Sequence, residues 1–195
     1  MYLIFDSETT GLPLFREPSD DPRQPRVVDI ACSLFDRTGM EIERYDTIIN
    51  PGVEIPEEVA RIHGITTEIA REQGVEPSTA FENFCAMIGQ AEQVAAYNAS
   101  FDIRMMRIMG ARVTGMKWDC PVAKFDIAGA ATIHCKLPPT QRMITAGFGN
   151  KFKKPNLAEA YETLFGETFE NAHRARADCD AAARIFFHLK EKELV

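Results

Sequence analysis

Cysteine is sparse and irregularly placed: five residues, at positions 32, 85, 120, 135 and 179, form neither a C-x-x-C pair nor an even framework. That spacing argues against a zinc site or a disulfide scaffold and points to reduced thiols in a cytoplasmic protein. No apolar run approaches the ~18 residues of a membrane span. The opening Met-Tyr-Leu-Ile-Phe-Asp also lacks a basic n-region, so neither a membrane association nor a targeting signal is expected. Positive charge is short as well, with 22 Lys and Arg against 29 Asp and Glu and a formal net charge of −7. This excludes a protein held to nucleic acid by overall charge and leaves room for a local basic groove. What the chain has is 195 residues that are 45% hydrophobic, enough for one sizeable core, so residues 1–195 are expected to form a single domain.

Its most informative stretch is the first dozen residues, where Tyr2-Leu3-Ile4-Phe5 leads into Asp6-Ser7-Glu8-Thr9-Thr10-Gly11-Leu12. An apolar run closed by a Thr-Thr-Gly turn signal predicts a buried strand. Side chains two apart on a strand share a face, so Asp6 and Glu8 project together and Ser7 points away. Two unpaired carboxylates side by side repel, and one must take up a proton. A hard divalent cation removes the conflict, since carboxylate oxygens suit magnesium or manganese. Two exposed acids in a turn is the bland alternative.

Residues 13–25 hold Pro13, Pro18, Pro22 and Pro25, which predicts a surface loop beside this strand end. Residues 27–35 alternate as a half-buried strand, Asp36-Arg37-Thr38-Gly39 makes a turn, and residues 40–49 supply a third strand, together an antiparallel meander. Helical patterns follow. Pro56 starts a short helix that stops at His63-Gly64, and Thr66 opens another ending at Gly74. His63, in the turn between them, reads equally as an incidental polar residue or as a ligand. Phe81, Phe84, Cys85 and Ile88 mark a core-facing helix.

Val94–Tyr97 is a short buried strand leading through Asn98-Ala99-Ser100 into a helix with Ser100 as its expected N-cap. Asp102 falls in the first turn, where it suits the helix dipole and also lies at the carboxyl end of a strand, the kind of crevice where Asp6 and Glu8 emerge. Residues 112–118 are expected to form a last short strand, and Asp119 with Pro121 to begin a helix running to about Ile133. Between His134 and Asn156 there is no acid, while Lys136, Arg142, Lys151, Lys153 and Lys154 occur. A solvated loop and a phosphate-tracking surface both fit this block. Asn156 caps a further helix closed by Gly166.

Near the C-terminus, Ala172-His173-Arg174-Ala175-Arg176-Ala177-Asp178-Cys179-Asp180 precedes the stripe Ala181, Ala182, Ile185, Leu189. Stepping back four from Ala182 puts Asp178 on the core-facing side, whereas Asp180 is displaced by roughly 200°. A buried carboxylate needs a cation or hydrogen bonds. His173, at or before the helix start, can lean over the same site, with an intrinsic pKa near 6.5 that suits a general base.

Phe5–Leu12, Asn98-Ala99-Ser100-Phe101-Asp102 and His173–Asp178 resemble, in order and spacing, the three exonuclease motifs of the DEDDh family, which includes the proofreading subunit of bacterial replicative DNA polymerase. The resemblance covers residue 2 to about residue 190. It implies an α/β, ribonuclease H-like fold, a five-stranded mixed sheet flanked by helices. It also implies two divalent cations, Mg or Mn: Asp6, Glu8 and Asp178 would hold one, and Asp6 with Asp102 the second. His173 would deprotonate the attacking water. Thr9, Leu12, Asn98 and Phe101 would position the terminal nucleotide, and the Ile62–Thr66 segment with His63 would pack on its base. Ser7 stands where the family usually has Thr, and loops 13–26 and 134–154 are longer than in compact members. The expected activity is 3′→5′ hydrolysis of DNA, preferably single-stranded, to nucleoside 5′-monophosphates. The expected partners are a single-stranded 3′ end and, further, a DNA polymerase subunit. An exoribonuclease on the same scaffold and a non-catalytic binding module are the alternatives, because no motif here reveals contacts to a 2′-hydroxyl.

Overall fold

The computed structural model describes residues 1–169 and 172–192. Five strands, β1 (Tyr2–Thr9), β2 (Val27–Phe35), β3 (Glu41–Ile48), β4 (Gln93–Ala96) and β5 (Ala123–Asp126), form one sheet in the order β3-β2-β1-β4-β5. The first three are antiparallel neighbours, whereas β4 runs parallel to both β1 and β5. This is the mixed five-stranded sheet expected from the sequence. Helices α1 (Glu57–His63), α2 (Thr67–Gln73), α3 (Pro77–Ile88), α4 (Ala99–Thr114), α5 (Ile127–Cys135), α6 (Gln141–Thr145), α7 (Leu157–Phe165) and α8 (Ala175–Glu191) flank it.

Alternation along β1 divides the core. Leu3 and Phe5 pack into the cluster built from α3 and α4, with the Phe5 and Phe84 rings 5.1 Å apart, while Ile4 packs against α5, α7 and α8. Each fully buried side chain of this kind contributes about 1.5–3 kcal/mol, so the strand is fixed from both sides. The same alternation carried two residues further sends Asp6 and Glu8 toward α8 and Ser7 toward α4. β2 is buried along its whole length instead of half-buried, because β1 and β3 cover its edges and helices cover both its faces.

Two boundaries differ from those expected. Residues 112–118 do not form a strand: α4 continues to Thr114 and stops at Gly115, whose φ of 68° gives the left-handed C-cap that glycine adopts without strain. Gly110 is tolerated inside this helix because a Cβ there would lie 2.7 Å from Phe81 and 2.8 Å from Trp118. The fifth strand is instead the four-residue Ala123–Asp126, and the helix expected from Asp119 begins only at Ile127. Ser100 is not the N-cap of α4 either. Asn98 occupies that position in the left-handed region, and the Ala99 N–H donates to Asp126 Oδ1 at the end of β5 (3.1 Å).

Candidate active site

Where β4 ends and the chain turns into α4, β1 continues for several residues, still paired with β2 on its other edge, and its far end forms the floor of a cleft. The register pairs Ile4 with Ala95, so β4 runs out near Phe5 and leaves Asp6 and Glu8 beyond it. Such a strand-end crevice is where open α/β sheets bind ligands. A register shift between Glu8 and Thr9 introduces a bulge at this point, a device that re-aims side chains. The cleft, about 400 Å³, is lined by Asp6, Glu8, Asp102 and Asp178 together with Asn98, Phe101 and Phe15.

Asp6 and Glu8 arrive together on β1, and the other two acids each come from the first turn of a helix. Asp102, in the first turn of α4, is 2% exposed, and its Oδ1 accepts from the Ser7 N–H (3.1 Å) and the Ser7 hydroxyl (2.8 Å). Ser7 does point away from Asp6 and Glu8, as expected, and in doing so it holds the third acid. Asp178, in the first turn of α8, accepts the backbone N–H of His173 at 3.3 and 3.2 Å. His173 has a φ of 69°, a conformation that costs a non-glycine residue about 1–3 kcal/mol. That turn brings a ring nitrogen of His173 and carboxylate oxygens of Glu8 and Asp178 within 4.8 Å of one another. Asp180 faces elsewhere and pairs with Arg176.

The electrostatics are those of a cluster short of positive charge. Burial, then Asp102, Asp178, Glu8 and Asp29, push Asp6 well above the usual carboxylate range. Burial followed by Asp178, Asp29 and Asp102 raises Glu8 to about 8, with Arg174 opposing. Burial raises Asp102 to about 7 against the two hydrogen bonds from Ser7, and raises Asp178 against the N–H of His173. Oxygen donors crowded at this spacing, and paying a protonation penalty for it, fit a hard divalent cation.

Sequence reasoning overlooked Asp29 and its partner. Asp29 sits on β2 opposite Glu8, is 4% exposed, and accepts from Arg174 Nε at 3.1 Å. This ion pair ties the start of α8 to the sheet beside the acids. The available signal was an acid inside an apolar strand.

The remaining expected residues divide. Asn98 and Phe101 line the cleft, while Leu12, 81% exposed, follows from the end of β1. The Thr9 hydroxyl donates to the Gly11 carbonyl (2.7 Å) and accepts the Gly11 N–H (3.3 Å), shaping the turn that presents Leu12. His63 does not line the cleft. It is 3% exposed, its Nδ1 accepts the Ile65 N–H (3.1 Å), and the Thr9 carbonyl lies near enough to favour its protonated ring against burial. Within that segment the exposed large apolar side chain is Ile62. Three lysines of the acid-free block have partners: Lys153 pairs with Glu159, Lys154 pairs with Asp126 at 3.1 Å, and Lys151 lies over the Phe148 ring. The acids that hold Lys153 and Lys154 lie outside the block and were invisible within it.

The exonuclease family model (RNase_T) matches residues 3–186. The DNA polymerase III subunit epsilon of Treponema pallidum is 27% identical over 195 residues, covering 95% of this chain and 74% of that subunit. The PolC-type DNA polymerase III of Lactococcus lactis is 26% identical over 193 residues, covering 98% of this chain but 10% of that protein. Among solved structures, E. coli exonuclease I in complex with a dA16 oligonucleotide superposes with a TM-score of 0.72 at 18% identity, covering 99% of this chain and 41% of that one. Exonuclease I of Methylocaldum szegediense gives 0.70 at 22% identity, covering 98% of this chain and 40% of that one. The chain thus spans about three quarters of the epsilon subunit and about two fifths of the exonuclease I chains. Their common ribonuclease H-like sheet is the one described above. With residues 3–186 matched by that model, and four acids and a histidine converging from three of its segments, the chain belongs to the exonuclease family.

Proposed function

We propose that residues 1–195 act as one exonuclease domain that removes nucleoside 5′-monophosphates from the 3′ end of DNA, preferably single-stranded. The observation that carries this reading is the convergence of Asp6, Glu8, Asp102 and Asp178 on one cleft, with the His173 ring over Glu8 and Asp178. Exonucleases of this kind depend on a divalent metal. Asp6, Glu8 and Asp178 would hold one cation, Mg or Mn, and Asp6 with Asp102 a second. Bound there, such cations supply the positive charge that this cluster lacks and stabilise charge developing on the phosphate oxygens.

The chain's own groups do the rest. His173 accepts a proton from the attacking water on a ring nitrogen, as the water oxygen bonds to phosphorus and the bond to the leaving 3′-oxygen breaks. The backbone bond from His173 to Asp178 holds the residue beside the acids before substrate arrives, so little reorganisation remains for the reaction step. Ser7 keeps the Asp102 carboxylate aimed into the cleft from the opposite face of β1. Leu12, Asn98 and Phe101 hold the terminal nucleotide, with Thr9 shaping the turn and His63 bracing it from beneath. DNA as substrate is favoured by the names of the relatives, DNA polymerase III subunits, and by the oligodeoxynucleotide bound to the exonuclease I neighbour. The same names favour a polymerase subunit as partner.

The deciding experiment incubates purified protein with 5′-labelled DNA and RNA oligonucleotides, with magnesium and with excess chelator. A magnesium-dependent ladder shortening from the 3′ end of DNA is expected, and circular single-stranded DNA should survive. Degradation of RNA but not DNA would replace the reading with an exoribonuclease, and activity in chelator would end it.

A further inference from the structure

We propose that Phe15 is a stacking platform for a nucleobase beside the scissile phosphate, an inference that rests on the nuclease reading and names a substrate contact outside the three motifs. Phe15 is 60% exposed, yet it lines the same cleft as the four acids and Phe101. An aromatic face left to water is unfavourable, and a nucleobase that covers it recovers the loss whatever its identity, because every base has a π-face.

The loop that carries Phe15 is built to hold it still. Gln24, 3% exposed, accepts the Leu14 N–H on Oε1 (3.0 Å) and donates from Nε2 to the Leu14 and Pro18 carbonyls (2.9 Å each). Arg104 donates to the Ser19 hydroxyl (2.8 Å) and to the Leu14 (3.2 Å) and Glu17 carbonyls. The backbone on both sides of Phe15 is therefore tied down, and Pro13 and Pro18 restrict it further. Arg104 stands two residues after Asp102 on α4, so one helix places both a carboxylate and the platform. A rigid, exposed aromatic loses little entropy when it binds, which is the condition for it to contribute affinity. Arg104 is a positioning residue; Phe15 is the contact.

The test compares the parent with Phe15→Ala and Phe15→Trp on a single-stranded oligonucleotide in magnesium. Stacking of this kind should make KM about ten-fold higher in Phe15→Ala with kcat little changed, and Phe15→Trp should restore the parent KM. In parallel, 2-aminopurine is placed at the last or next-to-last position of an oligonucleotide whose terminal linkage is a phosphorothioate. Its fluorescence should be quenched on binding to the parent and to Phe15→Trp, and less so with Phe15→Ala. A Phe15→Ala protein that is folded by circular dichroism, with the parent's KM and the parent's quenching at both positions, overturns the platform. A parent that binds but degrades no oligonucleotide overturns the nuclease reading instead, and the quenching still decides for or against Phe15.

Discussion

His173 and Ser7 each do something at the site that a neighbouring residue type could not. His173 combines a titratable ring with a left-handed backbone that returns its N–H to Asp178. His173→Ala should keep that backbone bond and the metal, and lose the base, lowering kcat about 10²-fold or more with little change in metal affinity. Single-turnover kinetics at saturating magnesium read this directly, and an unchanged rate would reduce His173 to a structural residue. Ser7→Ala removes one of two donors from a buried carboxylate, a loss of about 1–3 kcal/mol when that group is charged. Hydrogen bonding to the charged form is what opposes the upward shift of Asp102 to about 7. The destabilisation should thus be fullest above pH 7 and shrink as the pH falls through it. Urea unfolding of the chelated protein at pH 8.5 and pH 6 gives the comparison, and Ser7→Thr should recover most of the difference.

At the scale of elements, the join between β5 and α4 matters most. Asp126 ends β5, accepts the first N–H of α4 and pairs with Lys154, so the helix that carries Asp102 is capped from a neighbouring strand. Asp126→Ala should cost about 1 kcal/mol, as the loss of an N-cap does, and should lower activity by loosening Asp102. Equal activity at saturating magnesium would show that Ser7 alone places the acid. The sequence could not disclose this join. β5 is a four-residue edge strand with mostly exposed side chains, so it has no hydrophobic period, and its role is set by a partner 27 positions away. β1 was legible as an apolar run because both its faces are buried, and α8 was legible because one buried face stamps a helical period on its residues. Asp6, Glu8 and Asp178 then stood out as acids at positions that should be apolar. Asp29 was hidden by the opposite circumstance: its Arg174 lies 145 residues away, and pairing between distant elements leaves no local pattern.

For the whole molecule, the acid cluster sets how stability varies with pH. Folded-state values of about 8 for Glu8 and about 7 for Asp102, against ordinary values of 4.5 and 3.8, mean that the folded protein binds more protons than the unfolded chain between these limits. Stability must then fall as pH rises through that window. The lowered values of His63 and His188 act in the opposite sense below their ordinary 6.5, so the clean interval is about pH 6.5–8.5. In chelator, Tm should decrease across it; magnesium should raise Tm, and more at pH 8.5, where the acids are free to bind it. Glu8→Gln should flatten the metal-free curve while abolishing activity. A chelated protein whose Tm is level from pH 6.5 to 8.5 would contradict the cluster's electrostatics. The same membership of distant segments also has a consequence in time. β1 precedes the other elements and lies at the centre of the sheet, but Asp178 comes from α8 and His173 from the turn just before it. At about 5–20 residues per second, the stretch from β1 to α8 takes roughly 10–40 s to make, and for nearly all of it two acids wait on the strand without their histidine. The site closes only when translation has passed the start of α8, so a ribosome-bound chain that stops short of it presents the acids of β1 without the histidine and the last carboxylate.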